Sequence, residues 1–187
     1  MAVMTTAIAT PALDPAPDPS PEQIARHLRR ANSIAQRALD AGHHPFGAVL
    51  VDSDHETVLL EQGNVDSVNH AESVLARMAA ATWSPERLWG CTLYTTFEPC
   101  CMCAGTQYWA NIGRVVYGVE ESKLLAFTGN HVENPTMDLP CREVFARGQK
   151  PIRVIGPVPA LEAEIGALHA AFWQRHPHPS TQAPDPA

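Results

Sequence analysis

Cys100, Cys101 and Cys103 crowd three of the chain's five cysteines into four residues, and His70-Ala71-Glu72 stands about thirty residues upstream. Thiolate and imidazole donors suit zinc, and a catalytic zinc takes three protein ligands while its fourth position stays open to water. His70, Cys100 and Cys103 meet that demand. Both segments read as helix starts, because Pro99 fits a first helical turn. Residues three apart share a helical face, so Cys100 and Cys103 can reach one ion while Cys101 points elsewhere. A purely structural zinc would need Cys101 or Cys91 as fourth ligand and would leave Glu72 without a task. Glu72 comes two residues after its histidine, close enough to carry protons from a zinc-bound water to a leaving group.

The rest of the chain reads as one domain able to present this cluster. Ser20-Pro21-Glu22 starts an amphipathic helix in which Ile24, Leu28, Ala31, Ala35, Ala38 and Leu39 recur at helical spacing up to Gly42. Two strands of a hairpin are predicted at 46–51 and 57–61, with His43 and His44 in an exposed loop before them. A helix at 71–81, a strand at 92–96, a helix at 101–110 and a strand at 115–119 come next. Residues 120–150 read as a long loop with one helical turn near 122–127, before a strand at 152–155 and a helix at about 160–175. The alternation implies parallel strands joined by crossover helices, in a three-layer α/β/α sandwich around a mixed five-stranded sheet. Residues 1–20 and 177–187, rich in Pro and Ala, read as disordered tails flanking a domain at 21–176.

Composition narrows the function. No stretch approaches the roughly 20 apolar residues of a membrane span. The N-terminal run lacks both a basic start and an unbroken apolar core, so the expected location is the cytoplasm, where thiols stay reduced. A net charge of −7 argues against a large phosphate-contacting surface, which makes nucleic acid an unexpected partner and a small molecule the expected one.

H-x-E and then P-C-x-x-C, with PFGAVLV at 45–51, TLYTTFEPCCMCAG at 92–105 and YWANIGRVVYG at 108–118, resembles the cytidine-deaminase-like superfamily of zinc-dependent nucleobase and nucleoside deaminases. The likeness spans roughly residues 24–120. It is strongest to the guanine deaminase branch, while ANIGRVVYG also resembles tRNA-specific adenosine deaminases. The resemblance implies zinc held by His70, Cys100 and Cys103, Glu72 as catalytic proton shuttle, and replacement of a ring amine by a carbonyl with loss of ammonia. It also implies a homodimer. A free purine base or nucleoside, guanine first, is the expected substrate. Adenosine in tRNA, cytosine or another amino-heterocycle such as a triazine are the alternatives, and a non-catalytic zinc-binding module is the remote one. Asn64 resembles the family asparagine that hydrogen-bonds substrate; here only VDSVN separates it from His70. Phe46 and Ala71 complete the expected substrate-binding set, with Phe46 stacking on the ring. Glu133 and Asp138 are further candidate acceptors, and the 120–150 loop or Phe172-Trp173 could close the pocket.

Overall fold

The computed structural model describes residues 17–128, 134 and 136–175. Its five strands are β1 (Gly47–Val51), β2 (Val58–Gly63), β3 (Thr92–Phe97), β4 (Arg114–Val119) and β5 (Arg153–Ile155), in the order β2-β1-β3-β4-β5. The helices are α1 (Pro21–Asp40), α2 (Ala71–Thr82), α3 (Pro85–Gly90), α4 (Cys101–Ala110), α5 (Glu121–Thr128), α6 (Cys141–Ala146) and α7 (Pro159–Arg175).

The expected mixed five-stranded α/β sheet is present, but only part of it is parallel. β3, β4 and β5 run parallel, whereas β1 is antiparallel to both β2 and β3. The hairpin reverses the chain, and α2 and α3 then return it so that β3 runs against β1. Every residue of β1, β3 and β4 is buried, as expected of strands covered on both faces. One apolar cluster, containing Leu50, Leu75, Leu93, Ile112 and Phe145, fills the α2/α4/α6 side. The other, with Leu28, Val49, Tyr94, Val116 and Ile165, fills the α1/α7 side. Gly47 makes the second layer possible, because a Cβ there would lie 2.2 Å from the Ala31 carbonyl oxygen of α1.

Ser20 caps α1 in a capping box with Gln23, and Pro21 sits in its first turn. The same Ser-Pro-Glu signature at 84–86 builds α3, a helix absent from the sequence-based expectation: the Ser84 hydroxyl accepts from the Arg87 amide. The expected loop at 120–150 also holds more helix than one turn. It carries α5, and it carries α6, whose Cys141 and Phe145 bury their side chains in the core. The expected tails lie outside the described residues except for 17–20, and so does Glu133.

Candidate active site

β3 and β4 end side by side, and the segments just beyond them build the site: Glu98 to Cys103 after β3, Glu121 after β4. Ligand sites in α/β sheets commonly form beyond the carboxyl ends of such strands. His70 and Cys100 occupy the N-cap positions of α2 and α4, and neither uses its side chain to cap its helix. Two helix N-termini therefore face one spot, where their dipoles favour negative charge.

The described residues bring His70, Cys100 and Cys103 together, with one ligand atom from each within 4.8 Å of the others. Zinc bonds of about 2.3 Å to sulfur and about 2.0–2.1 Å to nitrogen, at a tetrahedral angle, put sulfur and nitrogen about 3.6 Å apart. Both Cys100 Sγ and Cys103 Sγ lie 3.6 Å from His70 Nδ1. The donor set therefore fits zinc in chemistry and in spacing. Cys103 pushes the Cys100 thiol down to about 4 by hydrogen bonding to it, with His70 adding to the effect. Cys100 in turn raises His70 to about 9, against the cost of burying a cation. Cys103 is shifted upward, first by its hydrogen bond with Cys100 and then by burial. Ser73 supports it, the hydroxyl donating to Cys103 Sγ at 3.3 Å and lying 3.5 Å from Thr106 Oγ1.

Glu72 turns toward this cluster. Its Oε2 lies 3.5 Å from Cys103 Sγ, and its Oε1 accepts a 2.7 Å hydrogen bond from the Thr95 hydroxyl of β3. Burial raises its pKa, with the His70 charge and the Thr95 bond pulling the other way.

A cavity of about 250 Å3 opens beside the cluster, lined by residues that include Phe46, Asn64, His70, Cys100 and Glu121. Asn64 is 5% exposed, and its Nδ2 donates to the Asp66 carbonyl while Oδ1 is buried without a partner among the described residues. The Phe46 ring lies nearly parallel to the His70 ring, 6.5 Å between centroids and 9° between planes. Ala71 is fully buried in the core beneath the first turn of α2 and is not among the residues lining the cavity.

Several expectations change here. Asp138 is exposed and lines a neighbouring acidic cavity of about 320 Å3 instead. Phe172 and Trp173 do not line the metal-side cavity; they pack edge-on against His44, which does, and so brace its wall from behind. His44 is half-buried, not in an exposed loop, because those two rings of α7 cover it. Cys101 points away from the metal ligands, as expected, to a rim shared by this cavity and a groove on the α2/α4 face, with Sγ 3.4 Å from Met137 Sδ. Glu121 is a site residue that the sequence alone does not reveal. It is only 8% exposed, and burial together with the nearby negative charges of Cys100, Glu72 and Glu98 raises its pKa to about 8. Its one signal is an acidic residue close after a strand parallel to the one that ends at the cysteines. Thr95 and Ser73 are likewise unannounced, because they carry no motif of their own.

Known proteins match this arrangement. The profile of the cytidine and deoxycytidylate deaminase zinc-binding region matches residues 21–119. A probable cytosine deaminase of Schizosaccharomyces pombe is 34% identical over 156 residues, covering 81% of this chain and 93% of that one. Guanine deaminase of Bacillus subtilis is 39% identical over 100 residues, covering 51% of this chain and 60% of that one. A solved structure from work on A-to-I editing by tRNA:A34 deaminases superposes with a TM-score of 0.59 at 27% identity, over 77% of this chain and 99% of that one. With these matches and a zinc-compatible donor set beside a buried carboxylate, the chain belongs to the cytidine and deoxycytidylate deaminase family of zinc-dependent hydrolases that act on C–N bonds.

Proposed function

We propose that this protein hydrolytically deaminates a free amino-bearing nucleobase, guanine first. The observation that carries the reading is the Glu72 carboxylate, oriented by Thr95 and 3.5 Å from Cys103 Sγ, in a cluster whose His70 and Cys100 line a cavity with room for a base. His70, Cys100 and Cys103 would hold zinc, which when bound lowers the pKa of a coordinated water to about 7 and so supplies hydroxide at neutral pH. Glu72 would take one proton from the attacking water and deliver it to the ring nitrogen beside the amino carbon; it would take a second from the hydroxyl left on that carbon and pass it to the departing amine, leaving a carbonyl and ammonia. Its burial, which favours the protonated form, suits a group that must both receive and give a proton.

Recognition falls to the other polar groups in the wall. Asn64 Oδ1, unpartnered among the described residues, accepts a ring or exocyclic N–H, and Glu121 accepts a second. Phe46 covers one face of the ring. The cavity of about 250 Å3 has room for a base. Surface charge disfavours tRNA. Arg26, Arg29, Arg30, Arg37, Arg87 and Lys123 are each paired with a carboxylate, and α7 carries Arg175 as its sole Lys or Arg. Cytosine is the second reading, supported by the name of the S. pombe relative and its 93% coverage.

The decisive experiment is ammonia release from guanine, guanosine, adenine, adenosine, cytosine, cytidine, an amino-triazine and an anticodon stem-loop. Guanine turnover supports the first reading, turnover of cytosine alone moves the protein to the second, and editing of the stem-loop overturns the small-molecule assignment. No described helix is long and apolar enough to cross a membrane. Five free cysteines fit a reducing cytoplasm. A second copy of the chain is the expected partner, seated on the α2/α4 face. There Trp109 is 81% exposed above a groove of about 490 Å3 floored by Ala76, Ala80, Gly105 and Ala110. Trp109→Glu is expected to halve the mass measured by sedimentation.

A further inference from the structure

Glu98 directly precedes the Pro99-Cys100 turn and is 6% exposed, yet its carboxylate bonds to two segments far along the chain. Oε2 accepts from the Glu121 amide at 3.4 Å, and Oε1 accepts from the Cys141 amide at 3.0 Å. These amides belong to the first residues of α5 and α6. First-turn amides have no acceptor within their own helix. Pro140, the N-cap of α6, makes no side-chain capping bond, so the cap is supplied by a residue of another element. A backbone bond from the Glu98 amide to the Val119 carbonyl, 2.8 Å, fixes Glu98 against the end of β4.

Glu121, Asn134, Thr136 and Met137 line the metal-side cavity, and all lie between the two anchored ends or at one of them. We infer that Glu98 is a positioning residue that anchors the Glu121 and Cys141 amides on either side of Asn134, Thr136 and Met137 in the chain, and so sets where Glu121 meets the substrate. Because the same residue leads into Cys100, the wall is registered directly to the metal ligands. The catalytic consequence rests on the deaminase reading above; the clamp itself does not.

Zinc content, amide hydrogen exchange and steady-state kinetics of full-length Glu98→Ala and Glu98→Gln test the inference. In Glu98→Ala, the amides of Glu121 and Cys141 are expected to exchange roughly tenfold faster or more, with zinc retained. Gln keeps one acceptor oxygen and presents an amino group on the other side. It is therefore expected to restore protection at Cys141, the shorter bond, and not at Glu121. With the substrate identified by the panel, KM is expected to rise roughly tenfold in Glu98→Ala while kcat stays within about threefold, and Gln recovers part of the loss. Wild-type exchange at both amides in the Ala variant, loss of zinc, or a fall in kcat with KM unchanged overturns the proposal. If the Ala variant does not fold, the difference between the two amides in Glu98→Gln decides the question. If wild-type protein turns over nothing in the panel, the deaminase reading fails while the exchange data still judge the clamp.

Discussion

Thr95 holds Glu72: the threonine hydroxyl donates a 2.7 Å hydrogen bond to Oε1 and leaves Oε2 turned toward Cys103. Replacing Glu72 by Gln is expected to lower kcat by about 10² to 10⁴, the usual contribution of a positioned acid–base group. Zinc content should not change. Thr95→Val keeps shape and loses the bond, so a drop of roughly tenfold is expected, while Thr95→Ser stays near wild type. An ammonia-release assay with metal analysis of each variant checks both statements, and full activity in Glu72→Gln contradicts the assignment.

The spacing of the donor atoms predicts one zinc per chain. Dialysis against a chelator should abolish turnover and added zinc should restore it. Cys103→Ser and His70→Ala should purify without stoichiometric metal. Ser73 donates to the Cys103 sulfur, and such outer partners commonly alter metal affinity by about 10–100-fold. Competition with a chromogenic chelator should therefore find Ser73→Ala weaker by a factor in that range.

Asn64 is expected to act in binding more than in chemistry. Its buried Oδ1 lacks a partner among the described residues, and an unmet buried acceptor costs roughly 1–3 kcal/mol until something donates to it. Asn64→Ala should raise KM about 5- to 100-fold and leave zinc content alone. A variant with wild-type KM removes Asn64 from the recognition set.

His169 gives the fold an acid limb. It is fully buried, with Nε2 2.9 Å from the Pro45 carbonyl oxygen and Nδ1 accepting from Trp173 Nε1 at 3.4 Å. Burial pushes it down to about 3 from an ordinary 6.5. Between those two values the unfolded chain binds a proton that the folded one refuses. Stability is therefore complete above about 6.5 and falls as pH drops toward 3, by up to about 1.4 kcal/mol per pH unit. His169→Gln keeps a donor for Pro45 and removes the titration, so its Tm should decline less between pH 7.5 and pH 5 than that of the wild type. Parallel declines would show that other groups govern acid sensitivity.

The chemistry is more legible in the sequence than the frame around it. The cysteine spacing depends on local geometry alone: an N-cap and the third residue of the helix after it put Cys100 and Cys103 on one side whatever the tertiary fold. Glu121 is hidden because its importance comes from strand pairing. Only when β4 lies parallel to β3 does the segment after one strand meet the cysteines after the other. α3 is readable in principle from Ser84-Pro85-Glu86, the same start that identifies α1. α6 is obscured because six residues give too little periodicity, and its stability comes from burying Cys141 and Phe145.

The absence of a side chain at Gly47 couples two properties that usually vary separately. It lets α1 sit against β1 with no room for a methyl group, and the residue immediately before it is Phe46 of the cavity wall. Any drift of the first helix is thus passed to the ring that would cover a bound base. Selection for a roomier pocket at this corner would act on core density as well, leaving little freedom to alter the pocket's fit without altering how firmly the domain holds together.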